Sequence, residues 1–508
     1  MKDSSVYTGS MMIATVFSIL QAVITARILG PALYGVLQIY RLILMYSMHA
    51  GLGILWAMLR EIPFHKGKGE LDKIEEIKNV TFSTNMALAC IGSLLIVIIA
   101  FFLRKTASIS MLGVTFVALI AIEQHFQYYL EHYLLAQKQF SLRSRVKVIY
   151  TMANLVGVCV FGYFFKLPGV LVAMFLSFAI VNQYTMRAGK FKPRFVVNIK
   201  ESIRLIKIGV PILGNGVSNN LMASVDKFMI IKFFDTTALG YYGLATMIKQ
   251  FMGVLYMSIF MTIFPNLAEQ LGKHNNDIKS IKNYVLKPMI VSAYLSPLFL
   301  GSIALVIPFL IKYFLPQYTP VTFITQIAVV SFFFGILQAG IPNFLIVTKK
   351  IHHIYPFRAA VIILNAVLIY IAVRLNKGLL GVAFCTMASS FVFSTLLSNN
   401  FLHHYKVGFR SRIRFYIQNY VPFVYMIGCL FSVSMVSIGI YQGIPGDIIT
   451  FLIRSLLFFA LNIPLIIYIN KKTGIIMEMK KFAVHLWQEK TRRPVSPKKN
   501  GKPIESNA

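Results

Sequence analysis

Apolar residues recur in runs along the whole chain, each about twenty residues or longer, and basic residues punctuate them. A run of that length matches a hydrocarbon core about 30 Å thick at about 1.5 Å of rise per helical residue, so each reads as a spanning helix. Divided at the charges, the pattern predicts about fourteen helices. They lie near 6–29, 33–58, 81–103, 107–135, 146–165, 168–187, 205–232, 238–263, 288–313, 320–347, 355–374, 378–401, 420–440 and 447–469. The tightest connection is Ala26-Arg27-Ile28-Leu29-Gly30-Pro31-Ala32-Leu33-Tyr34-Gly35, a corner too short to leave a membrane by much. The expected fold class is an all-α integral membrane protein.

Alternate connections carry the basic residues. One set holds Arg60, Lys66, Lys68, Lys73 and Lys78, then Lys138 to Lys147, then Arg187 to Lys207, and continues at Lys273, Lys349, Arg358, Lys406 and beyond Asn470. The other is sparse, with Arg104, Lys105, Lys166, Lys232, Lys312, Arg374 and Lys377. Cytoplasmic loops collect Lys and Arg, so the contrast predicts a multi-pass protein with both termini in the cytoplasm. The tail after residue 470 is expected to be a basic, partly disordered segment that attracts anionic lipid.

Composition agrees with this reading. The 508 residues are 57% hydrophobic, and the mean hydropathy is +0.69. A formal charge of +33 is accounted for by the loops and calls for no nucleic-acid partner. Cys90, Cys159, Cys385 and Cys429 stand inside apolar runs without metal-ligand spacing and are expected to be buried small hydrophobes. Tyr7 to Leu29 runs straight into the next span without a clear cleavage site, so it is expected to remain as the first helix. The short sparse loops argue against a membrane glycosyltransferase or polymerase. The chain also lacks a Gly-Lys-Ser/Thr phosphate loop, a metal cluster and a serine elbow, so no enzyme or cofactor is expected.

The chain also echoes itself. A shift of 205 positions lays Arg27 on Lys232 and Gly35 on Gly240; one of 211 lays Asn154 on Asn365 and Lys166 on Lys377. Six helices separate equivalent positions, so the two bundles enter the membrane in the same sense, related by an axis along its normal. The expected domains are an N-terminal six-helix lobe at 1–187, a linker at 188–204, a second lobe at 205–401, an added helix pair at 402–470 and the tail at 471–508.

Several strings resemble a known family. Ala-Arg-x-Leu-Gly-Pro-x-x-Tyr-Gly at 26–35, Asp226-Lys227 followed by Leu239-Gly240-Tyr241-Tyr242, Ala136-Gln137-Lys138-Gln139-Phe140 and Lys377-Gly378-Leu379-Leu380-Gly381-Val382-Ala383 resemble the bacterial polysaccharide-biosynthesis flippases. These belong to the multidrug/oligosaccharidyl-lipid/polysaccharide exporter superfamily. The resemblance implies two six-helix lobes around a central cavity plus two C-terminal helices. It also implies transport of lipid-linked oligosaccharide across a bacterial inner membrane by alternating access. A polysaccharide polymerase and glycosyltransferases are the implied partners, and helices thirteen and fourteen the implied groove for a polyprenyl chain.

Ionisable residues inside spanning helices are costly unless they face water or a partner, which makes each a functional candidate. The embedded set is Arg27, Arg41, Glu123, Glu131, Asp226, Lys227, Lys249 and Arg454. Arg27, Arg41 and Lys249, with Lys227 as a weaker fourth, are the expected ligands of a substrate diphosphate. Snorkelling is the competing reading for Arg27 and Lys232. Asp226 is a candidate latch to a cation on another helix. Glu123 and Glu131, beside His125 and His132, are candidate H+ or Na+ couplers or else polar contacts between helices. Gly209, Pro211, Gly214 and Gly216 mark helix seven as able to bend. A cation-coupled multidrug antiporter of the same superfamily is the alternative function, and a scaffold for polysaccharide assembly the third.

Overall fold

The computed structural model describes residues 2–103, 110–261, 267, 270–271, 273–274, 277–348, 350–436 and 443–474. Arg104, Lys105, Lys349 and the basic tail beyond Gly474 lie outside the described residues. Among the described residues the chain is helical, without strands. In order the helices are α1 (Lys2–Ser47), α2 (Ile54–Gly67), α3 (Leu71–Leu103), α4 (Met111–Ala136), α5 (Phe140–Gly157), α6 (Tyr163–Gly189), α7 (Ile199–Met222) and α8 (Val225–Phe233). They continue with α9 (Thr236–Met261), α10 (Lys282–Phe314), α11 (Thr322–Gln338), α12 (Gly340–Val347), α13 (Ile354–Arg374), α14 (Gly378–His404), α15 (Phe409–Ser434) and α16 (Ile444–Thr473).

These helices supply the fourteen expected passes, some fused and some broken. The first corner is sharper than a loop: α1 runs through it, reversing at Gly30 (φ 67°, ψ 172°). Only glycine adopts that conformation readily, and Pro31 then starts the second rod with its φ already set for a helix. Passes five and six are likewise fused through a π turn at Val158–Gly162 and a reversal at Lys166, just ahead of Pro168.

Pass two is broken. After Ser47 come one 3-10 turn (Met48–Gly51) and two left-handed residues, Leu52 (φ 46°) and Gly53 (φ 76°), before α2 begins. Pass seven is broken at Ala223–Ser224, between α7 and α8. The break falls beyond Pro211 and the glycines that marked this helix as able to bend.

Nine continuous stretches among the described residues are long and apolar enough to cross a bilayer unaided. The helices that fail this criterion are α2, α4, α7, α8 and α9. The reason is visible in α4, which carries Glu123, Gln124, His125, Gln127, Glu131 and His132, and in α7, which carries Asn215, Asn219 and Asn220.

The two halves meet through the repeat itself. A Cβ on Gly35 would sit 1.7 Å from the carbonyl oxygen of Thr236, four residues before Gly240. A Cβ on Gly240 would sit 1.8 Å from that of Pro31, four residues before Gly35. Such reciprocity, residue i on j and j on i, is the signature of a two-fold axis. Within the first half α5 packs on α1 and α4 on α3 and α6; within the second α10 packs on α11 and α13 on α14. The added pair, α15 and α16, packs on α10. Helix α7 joins the halves, packing on α2 and α3 and also on α13.

The linker 188–204 docks on α3: Asn79 Oδ1 accepts from the Arg194 amide at 3.0 Å and Ser83 Oγ from the Val196 amide at 2.7 Å. Asn198 then caps α7 by accepting from the Glu201 amide. Of the four cysteines only Cys429 is buried, while Cys90 and Cys159 are exposed. An apolar side chain in a membrane protein faces lipid as readily as core, so the apolar runs around them did not imply burial.

Candidate functional site

A cavity of about 760 Å³ lies between the halves, bounded by broken pass two on one side and α7 on the other. Arg41 projects into it from α1, with its Nη1 3.5 Å from the Tyr34 hydroxyl and its guanidinium 5.7 Å from that ring's centre. The break adds His49, α2 adds Trp56, and α7 adds Asn215, Gly216 and Asn220. Contacts across the cavity join the two breaks: Tyr46 to Ser224 at 2.6 Å between hydroxyls, and Asn220 Nδ2 to His49 Nε2 at 3.1 Å. No carboxylate stands among the described lining residues.

The break in pass two is held open by a buried buttress. The Ser47 carbonyl, released from the helix ladder, lies 3.0 Å from His125 Nε2. A carbonyl only accepts, so that nitrogen carries the proton. Asn85 in turn donates to the His125 carbonyl at 3.1 Å. Gly51 is required there, since a Cβ would come within 2.9 Å of Asn85 Oδ1.

The cavity is closed at both ends along pass two. At the sparsely charged end Gly35 meets Gly240, and Tyr318 stacks edge-on against both Tyr34 and Tyr241 while donating to the Ala26 carbonyl at 3.2 Å. Toward the basic end Gly53 and Gly209 touch, a Cβ on either falling within 2.4 Å of the other's carbonyl oxygen. Beyond them lies an ion-pair lattice. Arg204 on α7 reaches Glu61 on α2 at 2.7 Å and Glu201 at 2.7 Å, and Glu201 also receives Lys73 of α3 at 3.3 Å. The hydrogen bonds from Arg204, more than the added pull of Lys73, hold the Glu201 carboxyl below its ordinary range against the opposing effect of burial.

A second cavity, about 290 Å³, lies within the second half. Its walls include Asp226, Tyr242, Lys249, Asn365, Thr386 and Ser389. Asp226 accepts from the Tyr242 hydroxyl at 2.6 Å and from the Lys227 amide at 2.8 Å, and Ser389 donates to Asn365 at 3.1 Å. A third space of about 670 Å³ is a groove between α10, α15 and α16, apolar along Val421, Pro422, Pro464 and Leu465, with Arg414 at its rim.

The structure therefore distributes the expected residues rather than gathering them. Arg41 lines the cavity between the halves, and Lys249 and Asp226 share the second cavity. Lys227 is buried with Asp226 and Arg41 as its charged neighbours, but lines neither space. Arg27 and its repeat partner Lys232 are exposed, the position that snorkelling requires. Among the described residues Asp226 makes no ion pair within 4 Å, and its hydrogen bonds are to Tyr242 and the Lys227 amide.

Glu123 accepts from Asn182 of α6 at 2.8 Å and Glu131 from Gln127 at 3.2 Å, while His125 and His132 face other partners. Each of the four thus has a partner outside the set. Arg454 donates to the carbonyls of Ser434 and Val436, closing the end of α15. One buried cation escaped the sequence reading. Arg358 is 6% exposed and bonded to α7. It lies inside the expected span 355–374, which was the available signal, but its neighbours in sequence grouped it with the loop.

Fourteen helical passes in two halves around a cavity define a multi-pass membrane protein. The model of the family described as "Polysaccharide biosynthesis protein" matches residues 1–271, and the chain belongs to that family. Solved structures agree on the fold. An inward-facing multidrug resistance MATE family transporter of the MOP superfamily superposes with a TM-score of 0.63 at 13% identity, covering 79% of this chain and 99% of that one. The lipid II flippase MurJ in an inward closed conformation gives 0.60 at 15% identity, over 92% and 99%. An outward-facing MATE transporter gives 0.53 at 13% identity, over 78% and 93%. A search of curated proteins returns no match. Those structural relatives are named as transporters and a flippase.

Proposed function

We propose that this chain is a flippase that moves a polyprenyl-diphosphate-linked oligosaccharide from the cytoplasmic to the outer leaflet of a bacterial inner membrane by alternating access. The observation that carries this reading is the charge of the central cavity, which holds Arg41 and no carboxylate among its described lining residues. Such a wall attracts a diphosphate and repels an organic cation. Family membership and the fold shared with a lipid flippase support it. In this reading the basic end and both termini are cytoplasmic. The lobes are 1–187 and 205–401, joined by the docked segment 188–204, and the pair at 402–470 offers its groove with α10 to the polyprenyl chain. Asp226, in the second cavity, is the group that takes up H+ or Na+, in competition with Lys249 for its charge. A polysaccharide polymerase and glycosyltransferases are the proposed partners.

A cation-coupled multidrug antiporter is the second reading, and Asp226 is what favours it, a carboxylate buried in a cavity. Lys249 on the same walls opposes it by offsetting that charge. The decisive experiment reconstitutes the chain in vesicles and follows lipid-linked oligosaccharide to the opposite leaflet beside uptake of a fluorescent organic cation. Translocation of the lipid without the cation supports the flippase. Cation transport alone replaces it with the antiporter, and movement of neither leaves the scaffold.

A further inference from the structure

Arg358 is buried, and its Nη1 makes three hydrogen bonds, all to α7: the Asn215 carbonyl at 3.0 Å, Asn215 Oδ1 at 2.8 Å and Ser218 Oγ at 2.8 Å. Its Nε is buried without a partner. No carboxylate pairs with it within 4 Å among the described residues. A buried guanidinium is costly unless a counter-charge and hydrogen bonds compensate it, and here only neutral oxygens do so. Asn215, which holds it, is also a wall of the central cavity, so this residue links Arg358 to the space that Arg41 faces.

The stretch of α7 to which it is tied is flanked by glycines and follows a proline. Gly214 and Gly216 flank Asn215, and a Cβ on Gly214 would meet nothing within 4 Å. Pro211 removes a ladder hydrogen bond just before it. Guanidinium and phosphate match in geometry through paired charge-assisted N–H groups, which three neutral oxygens crowded on one nitrogen do not equal.

We propose that Arg358 is a second diphosphate ligand: phosphate oxygens displace Asn215 from the guanidinium, and the exchange frees α7 to bend at Gly214–Gly216. Arg41 on the first half and Arg358 on the second then hold one phosphate group each. This inference rests on the flippase reading and deepens it.

The test uses Trp56, a cavity wall, as reporter in a Trp487→Phe background, since the chain has only two tryptophans. Purified full-length protein is titrated with undecaprenyl diphosphate, and with undecaprenol as the chain-only control. Arg358→Gln is expected to weaken diphosphate binding by about tenfold or more while leaving undecaprenol unchanged. Asn215→Asp keeps the arginine but pairs it permanently, and is expected to lose diphosphate binding to the same degree. Arg358→Lys, which keeps charge without the fork, falls between wild type and Arg358→Gln. A purely structural role would move both lipids together, and that result overturns the inference. So does diphosphate binding within twofold of wild type in Asn215→Asp or in a folded Arg358→Gln protein. Wild-type protein that discriminates diphosphate from undecaprenol, with variants that do so equally, removes only the role of Arg358. Wild-type protein that does not discriminate at all removes the flippase reading and this inference with it.

Discussion

At the scale of single residues, the placement of Arg41 sets the first expectation. It is the one full cation among the described walls of the central cavity, and its link to Tyr34 is long, at 3.5 Å. Arg41→Gln should therefore lower translocation of a diphosphate-linked lipid about tenfold with little change in thermal midpoint. Vesicle transport and a melting curve on the same preparation check both halves of that statement. Glu201 carries a second expectation, for pH. Its folded-state carboxyl binds protons more weakly than the unfolded one, because Arg204 and then Lys73 favour its ionised form. The stability it adds is thus fully present above the unfolded value of about 4.3 and is lost as pH falls below it toward the depressed folded value. Glu201→Gln should show a shallower loss of thermal midpoint between about pH 6 and pH 3 than wild type, and an equal loss would remove the pairing from the account. What could be read of the site in advance follows the same physics. Embedded charge is legible from hydropathy alone, which is how Arg41, Asp226 and Lys249 were found. Which cavity each faces depends on rotation about helices whose faces all look apolar, so the placement of Arg41 and Lys249 in two different cavities was not legible. Arg358 was missed because a buried cation and a loop cation look alike within one turn of a helix end.

Elements tell a similar story with a different limit. The corner at Gly30-Pro31 was legible because glycine accepts a positive φ and proline starts the next rod, and the reversal appears at Gly30 itself. The break in pass two was not, although Gly51 and Gly53 stand in it, because an apolar average over 33–58 hides two residues with left-handed backbone. The repeat was visible as a shift in sequence, yet its consequence needed coordinates: Gly35 and Gly240, equivalent by that shift, touch across the axis. Gly35→Ala and Gly240→Ala are each expected to destabilise the closure of α1 on α9 by about 1–3 kcal/mol, because each Cβ falls inside van der Waals contact with a carbonyl oxygen. Two-fold packing adds a sharper expectation. Once one Cβ has spread the helices the second fits at little further cost, so the double variant should be clearly less destabilised than the sum. Thermal unfolding of the three variants measures this, and strict additivity would mean that the two glycines do not share one contact.

For the whole molecule, the question is how a cavity closed at both ends along pass two comes to open. Glycine pairs make the two closures, Gly35–Gly240 at the sparse end and Gly53–Gly209 toward the basic end, and backbone contacts of that kind separate as rigid rods without repacking large side chains. The basic end has an additional tie, Arg204 to Glu61, which joins the helix opening the second half to pass two of the first. Glu61 is buried, so reversing its charge places two cations together where water screens them poorly. Glu61→Arg should therefore part α2 from α7 and favour the state open at the basic end. Arg204→Glu should do the same by setting a third carboxylate beside Glu61 and Glu201. The exchanged pair, Glu61→Arg with Arg204→Glu, restores the attraction between those two positions and should recover part of the closure, less than wild type because Glu201 then faces a carboxylate at position 204. A cysteine at Asn220, on the cavity wall, reports the outcome in a protein freed of Cys90, Cys159, Cys385 and Cys429. With an impermeant thiol reagent on the basic side, labelling should rise several-fold in each single variant and fall back in the exchanged pair. Transport should drop in the single variants even as labelling rises, since a carrier held open on one side cannot complete a cycle. Labelling unchanged in all three would mean that this lattice anchors α7 without gating the cavity, and the glycine contact alone would then have to open.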